Sequence, residues 1–133
     1  MSKSVSAYSE ILSLINKYVE GCSEPNDKKL RSVFHSQAQL FGIMAGKMVI
    51  FPIETWIQRV MGDPKPATDA KITPPPSSGD LWYVTSIKVL ENIATAVVVC
   101  RFLEVWYTDF MTLLFENDEW KIVNKTFTYE KAS

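Results

Sequence analysis

The chain has 133 residues, a net charge of -1, 47% hydrophobic and 22% charged residues, which suits one soluble globular domain, 1–133, with a sizeable core. So balanced a charge offers no basic face to nucleic acid, and no apolar run approaches the ~20 residues of a membrane span. Met1 to Ser6 lacks the apolar core of a signal peptide, so a cytoplasmic protein is expected.

The first periodic segment runs from about Val5 to Cys22. Tyr8, Ile11, Leu12, Ile15, Tyr18, Val19 and Cys22 recur at three- and four-residue steps, the stripe of an amphipathic helix. Gly21 and Pro25 are expected to close it. A shorter helix should start at Asn26 or Asp27, both good N-caps, and end near His35-Ser36, with Leu30, Val33 and Phe34 inward. Residues 38–42 and 47–51 then read as a hairpin about a Gly-containing turn. Pro52 suits a helix start, and Ile53, Trp56, Ile57, Val60 and Met61 make the stripe of a third helix, stopped by Gly62 and Pro64.

Residues 63–80 form the one long irregular stretch and hold five of the seven prolines. Such loops are surface excursions or flaps over a cavity mouth. Four β-segments follow: Leu81–Leu90, Ile93–Leu103, Trp106–Glu116 and Glu119–Tyr129. Glu91-Asn92 and Asn117-Asp118 are connections of hairpin type, because Asn and Asp tolerate positive φ. Cys22 and Cys100 lie in a predicted helix and a predicted strand among apolar neighbours, so two buried thiols are expected rather than a disulfide.

Three stretches carry a family resemblance. Leu30-Arg31-Ser32-Val33-Phe34-His35-Ser36-Gln37-Ala38 resembles the helix exit "L-x-x-x-F-H-P-x-A", Tyr107 to Leu114 resembles the strand "F-T-D-Y-x-T-L-L", and Glu119 to Phe127 resembles the closing strand "E-W-K-I-V-N-K-x-F". Together they resemble the nuclear transport factor 2-like (NTF2-like, cystatin-like, SnoaL-like) superfamily, and within it the bacterial subgroup named for lumazine binding. The resemblance spans nearly the whole chain. It departs where His35-Ser36-Gln37-Ala38 stands for "H-P-D-A". It implies an α+β fold: N-terminal helices packed in the concave face of a strongly curved mixed or antiparallel sheet, a cone with a pocket at its wide end. Relatives of this fold include isomerases, dehydratases, epoxide hydrolases, polyketide cyclases and association modules, so fold alone does not give the chemistry.

His35 is the only histidine, and a histidine can carry a proton near neutral pH; the bland alternative is a structural hydrogen bond or a helix cap. Asp109 shares a strand face with Tyr107, Met111, Leu113 and Phe115, where a carboxylate is costly unless it is paired or acts as a base. Arg101 and Lys125 are its candidate partners. Alternation on the last strand sets Trp120, Ile122, Asn124 and Thr126 on one face and Lys121, Val123, Lys125 and Phe127 on the other. Asn124 then reads as the inward polar group and Lys125 as the outward one, although Phe127 argues the reverse. Tyr18, Trp56, Tyr107, Asn124 and Phe127 are the candidate ligand-binding residues.

There is no glycine-rich phosphate loop, no G-x-S-x-G element and no cluster of metal ligands in the sequence, so neither a cofactor nor a metal is expected. The favoured expectation is a small-molecule-binding domain whose pocket takes an apolar or aromatic ligand. One alternative is a cofactor-free isomerase- or dehydratase-type enzyme with His35 or Asp109 as base and Tyr107 or Asn124 as oxyanion donor, both acids facing one cavity. Another is a dimeric association module. A homodimer is expected through the outer sheet face, using Val97, Val99, Trp106 and Phe110.

Overall fold

In a computed structural model, residues 3–62, 82–102 and 104–131 are described; the whole Pro-rich stretch, 63–80, lies outside them. The elements are α1 (Lys3–Ser23), α2 (Asp27–Val33), β1 (Phe34–Met44), β2 (Lys47–Pro52), α3 (Ile53–Gly62), β3 (Trp82–Leu90), β4 (Ile93–Phe102), β5 (Val105–Glu116) and β6 (Glu119–Lys131). The strands form one six-stranded mixed sheet in the order β2-β1-β6-β5-β4-β3. All neighbours are antiparallel except β1 and β6, which run parallel and join the first strand to the last.

The helices cover one face of this sheet. In α1 the inward stripe is Ala7, Ile11, Leu14, Ile15, Tyr18 and Val19, whereas Tyr8 and Leu12 are exposed at 38% and 44%. The expected stripe was thus turned slightly about the helix axis. Gly21 does not end α1. It lies inside the helix against α2, where a Cβ would stand 2.8 Å from Leu30 Cδ2, so its lack of a side chain lets the two helices approach closely.

The second helix is shorter than expected. Asn26 caps it by accepting from the Lys29 N–H, and Phe34 already has extended backbone angles, φ -100 and ψ 144. The chain therefore enters β1 directly, with Phe34 buried. Arg31 ties α2 to α3 by donating to Asp27 of its own helix and to Glu54.

The strand register follows the turn chemistry. Ala45 and Gly46 take φ of 52° and 79°, and Asn117 and Asp118 take 56° and 63°, the left-handed pairs that tight hairpins need. On β4, Ala94, Ala96, Val98 and Cys100 are buried and alternate with less buried residues. Inner-face residues Leu113 and Ile122 join Leu30, Leu40 and Ile57 as fully buried core side chains, each contributing about 1.5–3 kcal/mol of burial. Val97, Val99, Trp106 and Phe110 lie on the opposite, outer face, with Phe110 60% exposed.

Candidate functional site

The inner face changes character along its length. The register brings Leu40, Lys125, Met111 and Ala96 into one row, then Gly42, Phe127, Asp109 and Val98, then Tyr129, Tyr107, Cys100 and Trp82. Met111 and Asp109 are buried, Tyr107 is half-buried and Tyr129 is 39% exposed. An apolar floor thus leads through one polar layer to an aromatic rim near solvent.

A β-bulge makes the polar layer. Thr112 pairs with Asn124, yet the next residue, Leu113, pairs with Ile122, so Val123 is the extra residue. Trp120 and Ile122 point inward before it, and Lys125 and Phe127 point inward after it. Strict alternation places these two pairs on opposite faces; the bulge unites them. Asn124 consequently lies on the outer face, where its Oδ1 accepts from Thr126 Oγ1. The expectation of an inward Asn124 and an outward Lys125 is reversed.

Tyr18, from the C-terminal third of α1, closes the layer from the helix side. Its hydroxyl donates to Asp109 Oδ2 at 2.7 Å and accepts from Lys125 Nζ at 2.7 Å. Lys125 Nζ and Asp109 Oδ2 stand 3.9 Å apart, so the phenol bridges the two charges. Asp109 and Lys125 are 1% and 5% exposed. The Lys125 ammonium also lies over aromatic faces, 4.4 Å from the Trp56 centroid, 5.0 Å from Tyr18 and 5.6 Å from Phe127, within the range where ring quadrupoles attract a cation. Tyr18, Phe34 and Trp56 touch one another, with centroids 5.6–6.3 Å apart. Gly42 lets Phe127 take its place: a Cβ there would fall 2.5 Å from the ring.

Burial, and next the neighbouring Asp109 carboxylate, push the Tyr18 hydroxyl well above the ordinary phenol range. The hydroxyl therefore stays protonated and keeps donating to Asp109. Burial likewise raises the Tyr107 hydroxyl and the Cys100 thiol, with Asp109 adding to both shifts. Cys100 is thus held as an unreactive thiol.

The arrangement is costly. A well-packed apolar substitute for a buried ion pair is often as stable or more so. Moreover, Asp109 Oδ1 is buried and has no hydrogen-bond partner among the described residues, which costs roughly 1–3 kcal/mol. A buried polar atom left without a partner calls for an explanation, and a ligand or catalytic role is one of them.

Of the residues singled out from sequence, the structure gathers Tyr18, Trp56, Phe127 and Asp109, with Tyr107 two residues along β5 at the rim. His35 stands apart. Its neighbour Phe34 pairs with Ile122, five positions along β6 from Phe127, the partner of Asp109, a separation of ~16 Å at 3.3 Å per residue. Its Nδ1 accepts the Gln37 N–H, a local structural bond. His35 and Asp109 thus do not converge on one substrate atom. Arg101, the other candidate partner of Asp109, pairs with Glu104 instead. Sequence reasoning named Lys125 as a candidate partner of Asp109, which it is, but set its side chain on the outer face; its spacing from Phe127 was the signal for the inner one. Among the described residues no three His, Cys, Asp or Glu come together as a metal site requires, and no helix is long and apolar enough to cross a membrane.

Comparison with solved structures finds the same fold. A nuclear transport factor 2-like protein of unknown function from Silicibacter pomeroyi superposes with a TM-score of 0.81 at 21% identity, covering 98% of this chain and 100% of that one. One from Shewanella baltica gives 0.79 at 22%, covering 99% and 100%, and one from Methylobacillus flagellatus gives 0.76 at 21%, covering 95% and 94%. No curated protein matches. Residues 6–128 match the sequence profile described as "Putative lumazine-binding". The match over nearly its full length shows that the chain belongs to the family described as "Putative lumazine-binding", and its α+β fold is that of the nuclear transport factor 2-like proteins.

Proposed function

We propose that the chain is a small-molecule-binding domain whose ligand enters past the Tyr107–Tyr129 rim and stops on the Asp109–Tyr18–Lys125 layer. The observation that carries this reading is the buried layer itself. A chain selected for stability alone gains little from a carboxylate and an ammonium at the centre of its inner face, with one carboxylate oxygen unpartnered. The walls are rings: Trp56 and Phe127 beside Lys125, then Tyr107 in contact with Phe102 and Tyr129 at 6.2 Å and 5.9 Å. Such a lining suits a flat aromatic ligand with a few polar atoms. The family's description points to lumazine, a bicyclic heteroaromatic of this kind, as the first compound to try.

Titration with lumazine and a panel of flat heteroaromatic compounds, followed by tryptophan fluorescence, tests the reading. Saturable quenching that Trp56→Leu diminishes is the expected result. Flat titrations across the panel, on folded protein, reject it.

The outer face supports a second element of the reading, association of two copies through the sheet. Phe110, Tyr83 and Leu114 are exposed at 60%, 50% and 41%, with Val97 paired to Phe110 and Val99 to Tyr83. Exposed apolar side chains clustered on one sheet face in this way call for cover.

A further inference from the structure

We propose that Asp109 Oδ1 receives a ring N–H from the ligand, and that the site therefore selects an uncharged, flat heterocycle carrying an amide-type N–H beside a carbonyl. This rests on the small-molecule reading above and adds the atom that chooses the ligand. The two carboxylate oxygens differ. Oδ2 takes the Tyr18 hydroxyl at 2.7 Å, while Oδ1 is buried without a partner among the described residues. A buried carboxylate oxygen accepts only, so what completes it must be a donor.

Charge narrows the class. The Asp109 carboxylate and the Lys125 ammonium lie 3.9 Å apart and cancel one another. An anion would meet the carboxylate and a cation would meet the ammonium, each in a setting too dry to screen the repulsion. A neutral molecule avoids both penalties. Lys125 completes the pattern. It has three protons, one of them given to the Tyr18 oxygen; the ammonium otherwise lies over the Trp56, Tyr18 and Phe127 rings, and a carbonyl next to the ligand's N–H takes a second proton in place of a ring face. Donor and acceptor side by side are the edge of a cyclic amide or imide. The partly exposed rings of Tyr107, Phe127 and Tyr129 are the surfaces that lead such a plane inward.

Discrimination follows from the chemistry of an unmet acceptor. A ligand that keeps its carbonyls but replaces N–H by N-methyl leaves Oδ1 unpaired and crowds it. The test titrates the full-length protein in mildly acidic buffer with lumazine, its 1-methyl and 3-methyl derivatives and 1,3-dimethyllumazine, and repeats the series on Asp109→Asn. The expected result is that 1,3-dimethyllumazine binds at least about tenfold more weakly than lumazine, since a charge-assisted hydrogen bond is lost. One of the two monomethyl compounds should keep the affinity of lumazine, because only one N–H is read. In Asp109→Asn the gap between lumazine and the dimethyl compound should shrink to about threefold or less, as a neutral acceptor bonds more weakly.

Equal binding of lumazine and its dimethyl derivative overturns the proposal while leaving the binding reading intact. So does an unchanged gap in Asp109→Asn, which would make the methyl effect purely steric. Absence of binding by every compound in the series removes both. Should Asp109→Asn fail to fold, the comparison of the two monomethyl compounds on the unaltered protein still decides the matter.

Discussion

The Tyr18 hydroxyl stands 2.7 Å from Lys125 Nζ and 2.7 Å from Asp109 Oδ2, accepting from the first and donating to the second. A helix and two strands, distant in the chain, meet at that one oxygen. The charges it separates are buried, so each depends on the other two members of the layer.

Lys125→Met should therefore be among the most damaging single changes in the core. It strands the Asp109 carboxylate in an apolar setting, and removing one partner of a buried pair costs about 3–5 kcal/mol. The double variant Lys125→Met, Asp109→Asn removes both charges and should regain most of that loss. Urea unfolding of the two single variants and the double variant measures the coupling; simple additivity would show that the pair does not interact.

Alkaline pH should weaken the fold through Tyr18. Its hydroxyl is raised above the ordinary phenol value by burial and by Asp109, so the folded state holds this proton more tightly than the unfolded chain. The resulting stability is fully present below the unfolded value, near pH 10, and is lost as pH rises from there toward the folded value. Tyr18→Phe should be less stable at neutral pH, through loss of both hydrogen bonds, yet should show a shallower decline above about pH 10. Equal slopes for the two proteins would refute the assignment.

Gly42→Ala should disturb the site from behind. The new Cβ would fall 2.5 Å from the Phe127 ring, which must tilt or shift, and overpacking of this kind costs about 1–3 kcal/mol. The ring borders Lys125, so ligand affinity should fall along with the melting temperature. A variant with unchanged stability and binding would mean that Phe127 has room to move freely.

Phe110→Glu tests the outer face. If two copies meet there, a carboxylate at this position leaves an unpaired charge in the interface, and light scattering should show the monomer mass where the parent protein shows twice that mass. A parent protein that is monomeric at high concentration would dispose of the dimer.

Much of the fold was legible in the chain because local signals agreed. The Asn and Asp turns, the alternation on β4 and β5, and the cap at Asn26 each pointed to the elements observed. The helix-to-strand junction at Phe34 was less legible, since Phe34, His35 and Ser36 extend a helical pattern equally well; extended backbone at Phe34 decided it. Gly21 read as a stop because glycine often ends helices, whereas here it serves contact with Leu30. Asp109 stood out because a carboxylate among apolar residues contradicts its surroundings. Lys125 was named as its candidate partner but set on the wrong face, because its facing depends on the bulge at Val123, and an extra residue in a ladder shows itself only once the partner strand is aligned. His35 drew notice as the only histidine, yet rarity of a residue type says nothing about where its ring lies.

That bulge has an evolutionary consequence. Ile122 and Lys125 both face inward with two residues between them, so deleting Val123 would restore strict alternation while leaving Lys125 and Phe127 inward and Asn124 outward. One codon can therefore be lost between Ile122 and Lys125 with the charged, ring-lined interior kept.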